Sequence, residues 1–324
     1  MKRIISVSRR TDIPAFYPDW FMRRVDAGFA GWENPFGGRK ILVSLLPEDV
    51  MAFVFWSKNY RPFLPHLQTI NKLGIPVMFN YTITGLPQIF ESNLVKPADA
   101  IDSLKELSRV YSSDHINWRY DPIVLSSVTD ESYHLETFRR LAESLKGYVK
   151  RCYFSFAVRY GKVERNFRKF EYDHQVGFFE LEQPRRIALA NKLAEIAATC
   201  GIKMYSCCGD YLINSSIYKA HCIDGEILEQ LYPHCRKGSK KPTRKECGCT
   251  ESTDLGKYDT CPHGCIYCYA NINKQRAEKL HAAHDPESAF LGYTKSESDR
   301  FLLEIAQRTK AGAPTNTDTQ PKLF

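Results

Sequence analysis

Apolar residues along this chain gather in short β-rich blocks separated by stretches of helical period. The blocks are IISV (4–7), AFVFW (52–56), VMFNYT (77–82), INWRY (116–120), CYFSFA (152–157) and IKMYS (202–206). Each is dominated by β-branched or aromatic side chains, the types that fit a pleated, covered surface. Between them the apolar spacing changes to three and four. Residues 61–73 open with Pro62, which suits a first helical turn, and 97–110 place Ile101, Leu104 and Leu107 on one face. Stretches 135–145 and 184–199 repeat that period. Six strands alternating with helices imply parallel βα units, and strands this continuously apolar imply cover on both faces. The expected architecture is α/β, a partial or full parallel βα barrel of TIM-like type with about six units. No GxGxxG follows the first strand; the residues there are SRRTDIP.

The pattern changes after about residue 220, where periodicity fades and cysteine, lysine, glycine and proline rise. The expected organisation is a barrel over 1–220, a cysteine-rich metal-organised module over 221–283, and a helical segment over 284–309 around Phe301, Leu302 and Ile305. The polar, Pro/Thr-rich residues 310–324 read as a disordered tail.

Chemistry in such barrels sits at the carboxyl ends of the strands. Those ends are polar here: Ser8, Arg9, Arg10, Thr11 and Asp12; then Ser57 and Lys58; then Thr82 and Thr84; then Arg119 and Asp121; then Ser155. Helix capping explains any one of them, whereas charge at end after end points to a functional mouth.

The chain has 324 residues and eleven cysteines. A chain of that length buries a core without disulfides. The basic N-terminus lacks an apolar run of signal-peptide length, and no stretch of 18 apolar residues occurs, so the expectation is a cytoplasmic protein with no membrane partner. Clustered cysteines in a reducing compartment point to metal or catalysis. Cys261, Cys265 and Cys268 in CPHGCIYC have the spacing C-x3-C-x2-C, with Pro262 and Gly264 allowing a tight loop. An iron–sulfur cubane takes four thiolates, so three local ones leave an iron corner open; a zinc site, or a cluster completed by a distant cysteine, is the alternative. His263 inside the loop is read as a ligand or proton donor, or as a residue of loop geometry or solvent contact. Cys207, Cys208, Cys222, Cys247 and Cys249 form a second set, read as an auxiliary cluster, a structural zinc site or reduced core thiols, while Cys152 and Cys200 are read as core.

Net charge is +8, from 45 basic and 37 acidic residues. Six of those basic residues lie in RKGSKKPTRK (236–245) with no acid among them, which makes a candidate phosphate-gripping loop or a solvated one.

CPHGCIYCYA resembles the cluster loop of the radical S-adenosylmethionine superfamily, with the aromatic Tyr267 before its last cysteine and Tyr269 after it. FWSKN (55–59) and WRYDPI (118–123) resemble strand ends of the spore photoproduct lyase and DNA-repair-photolyase-like branch. Over nearly its whole length the chain resembles the uncharacterised DUF1848 family, through SVSRRTDIPAFY near the start and CGC followed by CPHGCIYCYAN near the end. The resemblance implies a [4Fe–4S] cluster on the three thiolates and S-adenosylmethionine on its open iron. Reduction then yields a 5′-deoxyadenosyl radical that abstracts hydrogen from a substrate. An electron donor such as flavodoxin or ferredoxin would serve it, and nucleic acid is among the candidate substrates. Lys58, Arg119 and Asp121 become catalytic candidates, and Tyr267, Thr82, Ser155, Asp12 and Arg10 cofactor-binding ones. In that superfamily the cysteine loop follows the first barrel strand, whereas here it follows all six expected strands and the preceding DLGKYD is a poor strand. The expectation is that the C-terminal module folds back to the mouth. Two other readings are a non-catalytic zinc or iron–sulfur protein with a basic nucleic-acid-binding loop, and a metal hydrolase built on Asp12, Asp121 and His115.

Overall fold

The computed structural model describes residues 2–310. Among the described residues ten strands form: β1 (Arg3–Val7), β2 (Phe29–Glu33), β3 (Lys40–Ser44), β4 (Val50–Ser57), β5 (Val77–Thr82), β6 (Ile116–Ile123), β7 (Arg151–Phe156), β8 (Lys203–Ser206), β9 (Ile217–Lys219) and β10 (Thr253–Asp254). Eight of them make one sheet in the order β10-β1-β4-β5-β6-β7-β8-β9, and every neighbouring pair is parallel. The sheet ends in two edge strands, β10 and β9, so it is open and the closed form of the expected barrel is not present.

Both faces of the sheet are covered, which accounts for the unbroken apolar runs. On one side Phe53, Phe55, Phe79, Trp118, Tyr120 and Phe154 join the helices in a single core. Helix Pro97–Val110 takes proline in its first turn and buries Ala100, Leu104 and Leu107 there. Helix Glu131–Leu145 is capped by Asp130, whose carboxylate accepts the Tyr133 amide, and Phe138 stacks on Trp118 with ring centroids 5.0 Å apart. On the other side Ile4, Val54, Met78 and Tyr153 pack against Cys222, Ile223, Leu228 and Cys249. Asn80 Nδ2 donates to Cys222 O at 3.0 Å, pinning this covering segment to the sheet. Residues 220–249 thus share a core with the strands, and β10 is part of the sheet, so the span 221–283 is not packed apart from the rest.

The sequence reading gave neither the antiparallel hairpin β2–β3 nor the two short edge strands. The hairpin stands outside the main sheet, and Gly31 N donates to Ala289 O, drawing the C-terminal region against it. The final helix is Lys295–Lys310. Apart from Lys310, the expected tail over 310–324 lies outside the described residues.

Candidate functional site

The cysteine loop reaches the strand ends because β10 adds to β1 in parallel, with Ile5 opposite Thr253 and Ser6 opposite Asp254. Of DLGKYD, only Asp254 belongs to this two-residue strand; the other residues lead out of the sheet. The Asp254 carboxylate accepts from Ser6 Oγ at 2.7 Å, Ser8 Oγ at 2.8 Å, the Arg9 amide at 2.7 Å and Arg10 Nε at 3.0 Å. Burial pushes this acid up, but Arg10 and Arg9 outweigh it and hold it at about 2. Beyond β10 the chain leaves the sheet at its carboxyl end and enters the loop.

Asp12 anchors the loop. Its Oδ2 lies 2.7 Å from His263 Nε2 and accepts the Lys58 amide at 2.8 Å, while Oδ1 caps helix Ile13–Phe16 at Ala15 N. On the other flank Asn93 donates to Pro262 O at 2.8 Å and to His263 O at 3.1 Å, and Ile266 N donates to Phe90 O at 3.0 Å. Gly264 sits at φ +72°, and a Cβ there would lie 2.5 Å from Ser92 Oγ, so the turn requires glycine. His263 therefore positions the loop, and Asp12 and Arg10, expected to bind cofactor, have their charges engaged by protein partners.

Cys261, Cys265 and Cys268 line a cavity of about 220 Å³ together with Lys58, Thr82, Arg119, Asp121 and Ser155. Asp12, Arg10 and Tyr267 also reach its wall, as do Trp56, Phe156 and Tyr160. Lys58 Nζ pairs with Glu91 at 2.7 Å, and Glu91 also accepts from Tyr267 Oη and Thr84 Oγ1. Burial would lower the Lys58 ammonium, but Glu91 and then Cys265 outweigh it and keep it charged. Arg119 pairs with Asp121, which also accepts from Ser155 Oγ, and its guanidinium lies 5.0 Å from the Trp56 ring centroid. Burial pushes the thiols up: Cys265 to about 12 although Lys58 opposes it, with Cys261 and Cys268 also raised. A metal binding these thiols would displace their protons. Among the described residues, no three His, Cys, Asp or Glu side chains already stand in metal-ligating geometry.

A second cavity, of about 100 Å³, lies alongside and is lined by Cys207, Cys208, Cys222, Cys247 and Cys249. Arg9, Trp56, Arg119, Asp121, Tyr160, Arg244 and Tyr269 border both cavities. All eleven cysteines are free thiols, and Cys152 and Cys200 are buried in the main core.

His115 does not join the mouth. It precedes β6, at the opposite end of the strand from Asp121, and packs on Tyr111 and Tyr232, so the hydrolase set of Asp12, Asp121 and His115 is not assembled. The basic run is partly neutralised: Lys237 pairs with Glu226, Lys241 pairs with Glu251, and Arg244 turns inward to the second thiol set. Sequence reasoning missed Glu91, Trp56 and Arg244. Glu91 carried no signal, lying in an irregular turn, and Arg244 was hidden among neighbouring cations.

The family model of a domain of unknown function, DUF1848, matches residues 4–270. The chain belongs to this family. The match spans β1 through the cysteine loop, so the DUF1848 unit includes both the sheet and the segment that returns to its edge. No curated protein matches the chain. Among solved structures, a D-hydantoinase is similar over 62% of this chain and 40% of its own length, at 9% identity and a TM-score of 0.28. A likeness that slight carries no argument.

Proposed function

We propose that this DUF1848 chain is a radical S-adenosylmethionine enzyme whose [4Fe–4S] cluster is held by Cys261, Cys265 and Cys268. The observation that supports it is the convergence of these thiols with charged strand-end residues on one cavity, although the cysteines lie far along the chain from most of those strands. Three soft sulfur donors on a tight loop fit such a cluster and leave one of its irons without a protein ligand. When bound there, the reduced cluster would supply one electron to the sulfonium and release a 5′-deoxyadenosyl radical for hydrogen abstraction.

The chain's own residues would do the rest. Arg119, held by Asp121, Cys222 and Trp56, places a guanidinium charge on the cavity wall that attracts a carboxylate. Asp121, itself steadied by Ser155, is an acceptor for hydroxyl or amino groups. Lys58 places an ammonium near Cys265, balancing negative charge on the sulfurs, and Glu91 keeps it protonated. Trp56, Phe156, Tyr160 and Tyr269 form an aromatic wall that keeps water from a reactive centre.

The alternative of a non-catalytic metal protein with a nucleic-acid-binding loop loses support, since three of the six cations in 236–245 are engaged within the protein. The test is anaerobic purification with iron and sulfide analysis, then reduction in the presence of S-adenosylmethionine. A brown protein forming 5′-deoxyadenosine is expected, with both properties lost in a Cys261→Ala, Cys265→Ala, Cys268→Ala variant. A chain that remains colourless after anaerobic reconstitution would remove the reading.

A further inference from the structure

We infer that Cys207, Cys208, Cys222, Cys247 and Cys249 form a second and independent metal site, which holds one zinc ion through four of its five thiolates. The five thiols ring one cavity of about 100 Å³. They come from three places in the chain: the end of β8, the turn after β9, and the returning loop before β10.

The spacing of one sulfur pair fits zinc. Zinc–sulfur bonds of about 2.3 Å in a tetrahedron put the sulfurs about 3.8 Å apart. Cys207 Sγ and Cys222 Sγ already lie 3.5 Å apart. Thiolates of a cubane sit on different irons and stand farther apart. The ring is not yet in ligating geometry, and binding needs its sulfurs to turn inward into the space they surround.

The charges around the site suit a zinc tetrathiolate. Four thiolates and a divalent ion carry a net charge of two minus, and two arginines are aimed at the ring. Arg119 Nη1 donates to Cys222 Sγ at 2.9 Å, Arg244 Nε donates to Cys208 Sγ at 2.9 Å, and Arg244 Nη2 lies 3.6 Å from Cys207 Sγ. Binding releases the thiol protons to solvent, and the guanidiniums offset the charge left behind. Cys208 sits at φ +54°, a left-handed conformation unfavourable for a residue with a Cβ.

The experiment uses the full-length chain carrying Cys261→Ala, Cys265→Ala and Cys268→Ala, purified without added metal and analysed for zinc, iron and sulfide. About one zinc per chain is expected, without iron or sulfide. Adding Cys222→Ser and Cys249→Ser should lower zinc at least tenfold. Should these variants not fold, zinc-edge X-ray absorption of the wild-type chain decides, with four sulfurs at about 2.3 Å expected. A folded triple variant without zinc, iron and sulfide in its place, or zinc that survives the Cys222/Cys249 changes would overturn the inference. Absence of 5′-deoxyadenosine formation would bear only on the function proposed above.

Discussion

Asp254 shows how much one side chain can organise. It is buried, joins two arginines and two serines, and holds Thr253 and its own backbone as the edge that leads to the cysteine loop. Removing one member of a buried ion pair leaves the other charge unmet, so Asp254→Ala should destabilise the fold by about 3–5 kcal/mol in urea titration. The pH dependence has a definite sign. The folded carboxyl titrates at about 2, against an ordinary 3.8, so it binds its proton less readily than the unfolded chain. Its contribution is complete above about pH 4 and is lost as pH falls toward 2. Acid titration of wild type against Asp254→Asn should show that difference shrinking over this interval.

At the scale of elements, the anchoring of the loop is the testable feature. Asp12 ties His263, the start of helix Ile13–Phe16 and the amide after β4 into one knot. Asp12→Ala should cost about 1–3 kcal/mol through unmet buried donors. It should also lower iron retention several-fold after anaerobic reconstitution while leaving far-ultraviolet circular dichroism intact; undiminished iron would show that the loop needs no such tether. The elements themselves were largely legible. VMFNYT was read as residues 77–82 and forms β5 over that span, and helix Pro97–Val110 was read to the residue. Both signals are local: a covered strand is apolar throughout, and a helix has its period. The edge strand β10 was not legible, because two residues have no period and Asp254 owes its place to arginines more than 240 positions away. The openness of the sheet was also beyond reach, since closure depends on what meets β9 and β10 rather than on any strand's own pattern. The mouth residues were legible as polar ends of apolar runs, but Glu91, which meets Lys58, was not.

For the molecule as a whole, two covers hold the sheet: helices on one side and the segment 220–249 on the other. If zinc clamps that segment, its removal should loosen one complete face. A ligand at a hundredfold excess over its Kd stabilises by about 2.7 kcal/mol, so stripping zinc with a thiol-reactive mercurial and a chelator should lower Tm by several degrees. Readdition of zinc should restore it, and an unchanged Tm would mean that the second cover holds by packing alone. Among the described residues no helix is long and apolar enough to cross a membrane. The position of β10 beside β1 also fixes an order of events during synthesis. The ribosome delivers nine strands before the tenth, and the three sulfurs of the loop follow only after that. The thiols of the loop therefore emerge only after the strand ends that line the same cavity.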